Sequence, residues 1–349
     1  MSFKVAVLLV DYKREFFPRH KRSPESTDLV ALQRLLLEQG VNLEVLPFSE
    51  VDLRTRDFNG VPVFYQSAQD PDLLYKGYLE DILFGLELSG ARLLPGLPFF
   101  RAHHNKVMME ILRDLSPIEE LRSLHSRTFG TFEEFADAAA ALTYPSVLKI
   151  SDGDSARGVE LVQNQAEALA RAKTLMKSYS PRDLWDNSRR RFSGSAIKPH
   201  SHHRRKLIAQ RFIAGLDHDY KVVWMGERLF LETRSTREND FRASGSGLRD
   251  FPHDAPPAIL DLVDRLGHAA GSPYASVDLM LEGDKIHVGE MQFLRFGTTP
   301  VVRAPHAWQR SSDGWQRIAG PFNWESELAA AMTQALGRPT PAAWRPPRP

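Results

Sequence analysis

Residues 147–162, VLKISDGDSARGVELV, set two apolar runs around a polar loop that holds two glycines. The wider flanks, YPSVLKI and GVELVQN, are short apolar runs and read as two strands. This order constrains the fold more than any other feature of the chain. Phosphate loops of the Walker and dinucleotide-binding types join a strand to a helix, whereas this loop joins a strand to a strand, which argues against both. The glycines still let backbone N–H groups approach an anion, and Lys149 faces the same side as Val147. Taken alone, the stretch reads as a phosphate-gripping hairpin or as a surface turn, and the rest of the chain has to decide.

The N-terminal part alternates strands and helices. FKVAVLLV (3–10) reads as a buried strand, STDLVALQRLLLEQG (26–40) as a helix stopped at Gly40, VNLEVLPF and GVPVFYQ (60–66) as strands, and YLEDILFGLELSG (78–90) as a helix before the short ARLLPG. That is the pattern of an α/β domain over residues 1–97. A second mixed pattern starts with the helical HHNKVMMEILRDL (103–115). Thr131 with Glu134, and Asn164 with Glu167, have capping-box spacing ahead of two further helices. Residues 185–206 hold seven Lys or Arg and one Asp and read as a mobile basic insertion. LIAQRFIAG and DYKVVWMGERLFLE look like paired strands, the second bending through MGER. A helix (256–270), the hairpin YASVDLMLEGDKIHVGEMQFL (274–294) turning at EGDK, and a helix near 324–337 follow. The last residues, 338–349, form a proline-rich tail expected to be loosely ordered.

Composition limits the partners. Lys and Arg number 45 against 44 Asp and Glu, so no global field recruits nucleic acid or an anionic membrane. The absence of cysteine rules out disulfides, thiolate zinc sites and a cysteine nucleophile, and suits a reducing compartment. MSFKVAVLLVDYKREFF has strand length and no signal-peptide anatomy, and no stretch approaches a membrane span, so a soluble cytoplasmic protein is expected.

Within the 274–294 hairpin, Glu290 and Gln292 are two positions apart and share a face, and Asp278 lies on the partner strand within a rung or two. Two carboxylates and an amide oxygen suit magnesium, which takes a few carboxylates plus phosphate oxygens and water. The plain alternative is an exposed hairpin with ordinary polar residues on its wet face. Lys106, at the start of a helix after HHN, joins Lys149 as a candidate phosphate lysine, and each alone equally describes a solvated charge. His200, His202 and His203 follow no metal-ligand spacing and read as a polar loop. His103 and His104 precede Lys106 and stand either near phosphates or simply at a helix start.

Ordered along the chain, the blocks are NK (105–106), YPSVLK with DGDSARG, AQRFIAG (209–215), DYKVVWMGERL (219–229), DFRAS (240–244), SVDLML (276–281) and VGEMQ (288–292). In that order and at those separations the chain resembles the ATP-grasp superfamily over roughly residues 98–335, and within it the ribosomal-protein glutamate ligases and related amino-acid ligases. The resemblance implies an α+β fold in which two lobes hold ATP between antiparallel sheets: a central lobe (98–209), a C-terminal lobe with the metal site (210–337) and a preceding α/β domain (1–97). It implies ATP as cosubstrate and one or two magnesium ions, with manganese an acceptable substitute. By position, Lys106 and Lys149 would hold phosphates, and Gly153, Ser155 and Gly158 would belong to the lid loop. Gln210, Arg211, Phe212 and Ile213 would form the hinge edging adenine, with Asp217 or Asp219 on the ribose side. Arg242 would steady the transferred phosphoryl group, and Asp278, Glu290 and Gln292 would meet the metals. Arg295, before the substrate-facing FGTTP, would bind a substrate carboxylate. Four positions depart from the family pattern: Gln292 and Ser244 stand where asparagine is usual, Arg211 where glutamate is, and Ala156 where glycine is.

The activity implied is an ATP-dependent carboxylate–amine ligase working through an acyl phosphate on a small-molecule acid and amine, with no nucleic-acid or membrane partner and with a homo-oligomer allowed. A small-molecule kinase on the same scaffold, phosphorylating a hydroxyl, and a nucleotide-binding protein with little turnover are the alternatives.

Overall fold

The computed structural model describes residues 4–17, 26–68, 70, 72–152, 158–192, 199–236, 248–339 and 344. The chain forms two compact units, one from Met1–His103, Leu115–Leu121 and Leu216–Pro349, the other from His104–Asp114 and Arg122–Gly215.

The first unit opens with β1 (Lys4–Val10), α1 (Leu29–Glu38), β2 (Val41–Pro47), β3 (Pro62–Phe64), α2 (Leu74–Leu88), β4 (Arg92–Leu94) and α3 (Leu97–Ala102). The strands pair in parallel in the order β2-β1-β3-β4. KVAVLLV lacks polar alternation because β1 is central and covered on both faces. Ala6, Leu8 and Val10 enter one core, and Val7 and Leu9, pointing the other way, enter a second. At the start of α1, Asp28 accepts a hydrogen bond from the Ala31 N–H at 3.0 Å, and the chain leaves the helix through Gly40 at φ +79°.

The second unit contains α4 (Lys106–Asp114), β5 (Ser126–Phe129), α5 (Phe132–Ala138), β6 (Ser146–Ile150), β7 (Val159–Val162), α6 (Gln165–Leu175), α7 (Pro181–Phe192) and β8 (Leu207–Arg211). Its antiparallel sheet runs β5-β8-β6-β7. Phe135, Leu148, Ala168, Ala172 and Leu207 are fully buried in its core, where each large apolar side chain contributes about 1.5–3 kcal/mol. Thr131 and Glu134 close a reciprocal capping box on α5. Asn164 caps α6, but Glu167 reaches one residue further back, to the Gln163 N–H, so that box stays open.

Residues 185–192 correct the expectation of a mobile insertion: they belong to α7. Ser180 and Asp183 exchange hydrogen bonds at its start, and the buried Asn187 holds the His200 backbone through both amide atoms (2.9 and 3.0 Å). These polar bonds, invisible to a charge count, support a helix at the start of the basic stretch; residues 193–198 of it lie outside the described residues.

The first unit resumes with β9 (His218–Met225), β10 (Arg228–Ser235), β11 (Arg249–Asp250), α8 (Pro257–Ala270), β12 (Tyr274–Glu282), β13 (Lys285–Gln292), α9 (Thr299–Arg303), β14 (His306–Ser311), β15 (Gly314–Ala319) and α10 (Trp324–Gly337). Seven strands form one sheet, ordered β13-β12-β9-β10-β14-β15 with β11 beside β10. α8 lies close over β9 because Gly267 has no side chain; a Cβ there would come within 2.4 Å of the Trp224 ring. The N-terminal sheet and this C-terminal region share a core: Leu8, Phe17 and Leu36 pack in one cluster with Val223, Trp324 and Met332. The Trp324 indole N–H donates to Thr27 Oγ1 at 3.0 Å. Among the described residues, no helix is long and apolar enough to cross a membrane.

Candidate functional site

In the second unit, Lys149 sits on β6 next to β8, and its ammonium donates to Gln210 Oε1 at 2.5 Å. The amide nitrogen of Gln210 donates in turn to Ser126 Oγ on β5 at 3.0 Å, so three strands fix the direction of one lysine. The start of α4 is tied to the end of β6: the Lys106 N–H donates to the Ser151 carbonyl (3.2 Å) and the Val107 N–H to Ser151 Oγ (3.4 Å). Both candidate phosphate lysines therefore stand on segments bound to one another.

The ends of the glycine loop are also pinned. The Ile150 N–H donates to the Gly158 carbonyl at 3.0 Å, and Arg205 pairs with Asp152 at 3.1 Å. Gly158 has φ +68°, and a Cβ there would come within 2.4 Å of the Ile150 side chain, so the hairpin closes only around glycine. Gly153, Ser155 and Ala156 lie outside the described residues, as do Arg242 and Ser244. Along the hinge, the N–H groups of Arg211 and Phe212 donate to the carbonyls of His125 (3.3 Å) and Pro145 (3.4 Å), and Ile213 is buried.

In the first unit the hairpin, with a bulge in its second strand, brings the acidic residues together. Asp278 is directly opposite Glu290, and Ser276 is opposite Gln292. The register then shifts, with Leu279 opposite Val288, so Gly289 forms a bulge beside Asp278. Continuing across the sheet, Lys221 on β9 pairs with Asp278, and Glu232 on β10 pairs with Lys221. Glu290, Asp278, Lys221 and Glu232 thus make one charged row over four strands. Asp219 and Arg234, themselves cross-strand partners, add a second row on the same face.

Arg234 holds Asp219 with two bonds of 2.7 Å and reaches Asp278 Oδ2 at 2.9 Å, while Lys221 contacts Asp278 Oδ1 at 3.2 Å. Burial pushes the Asp278 carboxyl up, but Lys221 and Arg234 outweigh it and hold it below the usual carboxylate range. For Asp219 burial wins over Arg234, and its carboxyl is raised. Glu232, fully buried against Arg249, is raised by burial as well. Asp219 has both oxygens on Arg234 and so differs from Asp217, whose residue is exposed and whose backbone carbonyl ties Thr236.

Among the described residues, no group of three His, Asp or Glu stands ready to hold a metal. Both Asp278 oxygens are engaged by cations, whereas among the described residues Glu290 accepts only a long 3.4 Å bond from the Gln292 amide. The donor chemistry suits a hard cation that takes one or two carboxylates and completes its shell with water and phosphate oxygens. Glu290 would be the principal protein ligand, with Gln292 beside it and Asp278 shared with Lys221 and Arg234. Arg295, just beyond β13, is partly buried; burial pulls its guanidinium below its ordinary value, against the nearby charges of Asp11 and Glu15.

No family model and no curated protein matches the chain. Solved structures do match it over nearly their whole length. D-cycloserine synthetase DcsG aligns with a TM-score of 0.53 at 13% identity, covering 95% of this chain and 99% of that one. The ATP-grasp ligase PsnB, complexed with a phosphomimetic variant of its minimal precursor, Mg and ADP, gives 0.51 at 13% identity over 96% and 99%. The RimK domain ATP-grasp protein from Sphaerobacter thermophilus DSM 20745 gives 0.50 at 16% identity over 95% and 98%. At 13–16% identity the likeness to these proteins is one of fold, and the fold of this chain is ATP-grasp.

Proposed function

We propose that the chain is an ATP-dependent carboxylate–amine ligase that forms an amide or peptide bond through an acyl phosphate. The observation that carries this reading is Lys149, whose ammonium is aimed by the Gln210–Ser126 relay at the base of the glycine hairpin. Phosphoryl transfer asks for positioning and charge neutralisation rather than covalent help, and an oriented lysine beside backbone N–H groups provides both. The matched structures include proteins described as a synthetase and as a ligase, one of them complexed with Mg and ADP, which supports ligase chemistry over other uses of the fold.

In this reading a substrate carboxylate oxygen attacks the γ-phosphorus of ATP and ADP leaves. The amine then attacks the acyl carbon, loses a proton, and inorganic phosphate departs. Lys149 and Lys106 neutralise phosphate charge, Arg242 steadies the group in transfer, and Arg295 holds a substrate carboxylate. Magnesium, when bound, supplies further charge neutralisation at the phosphates, held by Glu290 with Gln292 and Asp278. The loop between Asp152 and Gly158 shields the acyl phosphate from water.

One observation favours a second reading, nucleotide binding with little turnover: Asp278 is already paired with Lys221 and Arg234. Phosphorus NMR of the protein with magnesium-ATP and pooled acids and amines separates the two, with Lys149→Ala as the blank. Inorganic phosphate and ADP appearing only when an acid and an amine are both present is the expected result. A new phosphoester signal would make the protein a kinase, and an unchanged ATP spectrum would leave it a binding protein.

A further inference from the structure

The two units differ in charge, and the difference concentrates on one helix. Residues 171–206 contain eleven Lys or Arg and two Asp, whereas the whole chain has 45 and 44, so everything outside this stretch is net acidic. Some of the excess is spent locally: Arg171 pairs with Glu160 (3.3 Å), Arg204 with Asp183 (3.1 Å) and Arg205 with Asp152 (3.1 Å). The outer face of α7 is different. Asn187 and Asp183 anchor the inner face to residues 200–204, which turns Arg182, Trp185 and Arg189 outward at helical spacing. Trp185 is 71% exposed. Arg182 reaches Asp186 only at 4.0 Å, and Arg189 makes no ion pair among the described residues.

An indole left in water between two arginines, one turn to either side, has the composition of an interface centre: tryptophan and arginine are the side chains most enriched at binding hot spots. We propose that this face of α7 docks an acidic peptide segment, its carboxylates on Arg182 and Arg189 and an apolar side chain against Trp185. A guanidinium pairs with carboxylate through two parallel hydrogen bonds, so each arginine is matched to a single acidic side chain. The length of the helix favours a peptide over a nucleic acid: about 18 Å at 1.5 Å per residue is enough for a few side chains and not for an extended polyanion track.

The test is fluorescence anisotropy on the full chain with a short labelled peptide alternating glutamate and phenylalanine, its glutamine counterpart, and a labelled single-stranded oligonucleotide of equal charge. The acidic peptide is expected to bind, the glutamine peptide to bind at least about tenfold more weakly, and R182E/R189E and W185A each to weaken the acidic peptide by about tenfold or more. Circular dichroism and nucleotide binding, which depends on Lys149 and not on this face, should be unchanged in the variants. That separates failure of the docking surface from failure of the ligase reading. No binding of the acidic peptide, binding that ignores all three substitutions, or tighter binding of the oligonucleotide with the same dependence on them would overturn the proposal.

Discussion

Replacing Arg234 by methionine tests whether the charged rows of the large sheet are a balanced unit. The guanidinium makes three short bonds, two to Asp219 and one to Asp278, and all three side chains are largely buried, at 8%, 13% and 17% exposure. Arg234→Met leaves two carboxylates on one face, with Lys221 remaining 3.2 Å from Asp278. Removing one partner of a buried pair costs about 3–5 kcal/mol because the other charge is stranded, so a loss of about 4 kcal/mol is expected at pH 7. Arg234→Lys keeps the charge but loses the fork, and should cost roughly half as much.

The pH dependence distinguishes stranded charge from simple loss of packing. In the native protein Asp278 is held below its ordinary 3.8, so its contribution is full above that pH and is lost as the pH falls through the lowered value. Without Arg234 both carboxyls rise, and the variant's deficit should be complete at pH 7 and shrink on acidification towards about pH 4.5 as they take up protons. Urea unfolding followed through tryptophan fluorescence, with Trp224 on the same strand β9 as Asp219 and Lys221, reads both quantities. A deficit below about 1 kcal/mol at pH 7, or one equal at both pH values, would show that the rows do not act as a charge-balanced unit.

Two further predictions concern single positions. Gln210→Ala removes the acceptor that aims Lys149 and should weaken ATP binding about tenfold in calorimetric titration, with Lys149→Ala weaker still; equal affinity in both variants would remove the lysine from the nucleotide site. Gly267→Ala should destabilise the first unit by about 2 kcal/mol despite alanine's better helix propensity, because the new methyl meets the rigid Trp224 ring; a raised melting temperature would show that α8 can shift outward.

The parts of the site that depend on local pattern were legible from sequence. Alternation places Glu290 and Gln292 on one face, and the EGDK turn sets the two strands against each other; the bulge at Gly289, which moves Asp278 from Gly289 to Glu290, has no local signal. The strand–loop–strand order around Lys149 forms a hairpin. The cluster of Lys221, Arg234 and Asp219 was missed, although a signal was present. Once MGER is taken as a hairpin turn, counting outward sets Asp219 against Arg234 and Lys221 against Glu232, two opposite-charge cross-strand pairs. That β12 lies on the other side of β9, bringing Asp278 to Lys221, is tertiary information no local pattern carries. β14 and β15 also escaped notice, because at the sheet edge their polar Gln309, Arg310, Gln316 and Arg317 mask the alternation. α7 was obscured by its charge, since the side chain that anchors it, Asn187, works through bonds to a segment thirteen residues away.

The split of the first unit bears on how the polypeptide is made. Thr27 and Trp324, bonded through the indole, lie 297 positions apart, and Leu8, Phe17 and Leu36 are covered by the final helix. Emerging from the ribosome, these apolar residues wait until α10 has been made, whereas Arg122–Gly215 carries its whole four-stranded sheet in one continuous run and can close early. The second unit should thus be native while the first is still an exposed nascent chain. A stop codon between Gly215 and Trp324 is expected to yield a product with the second unit folded and a first unit that recruits chaperones or aggregates.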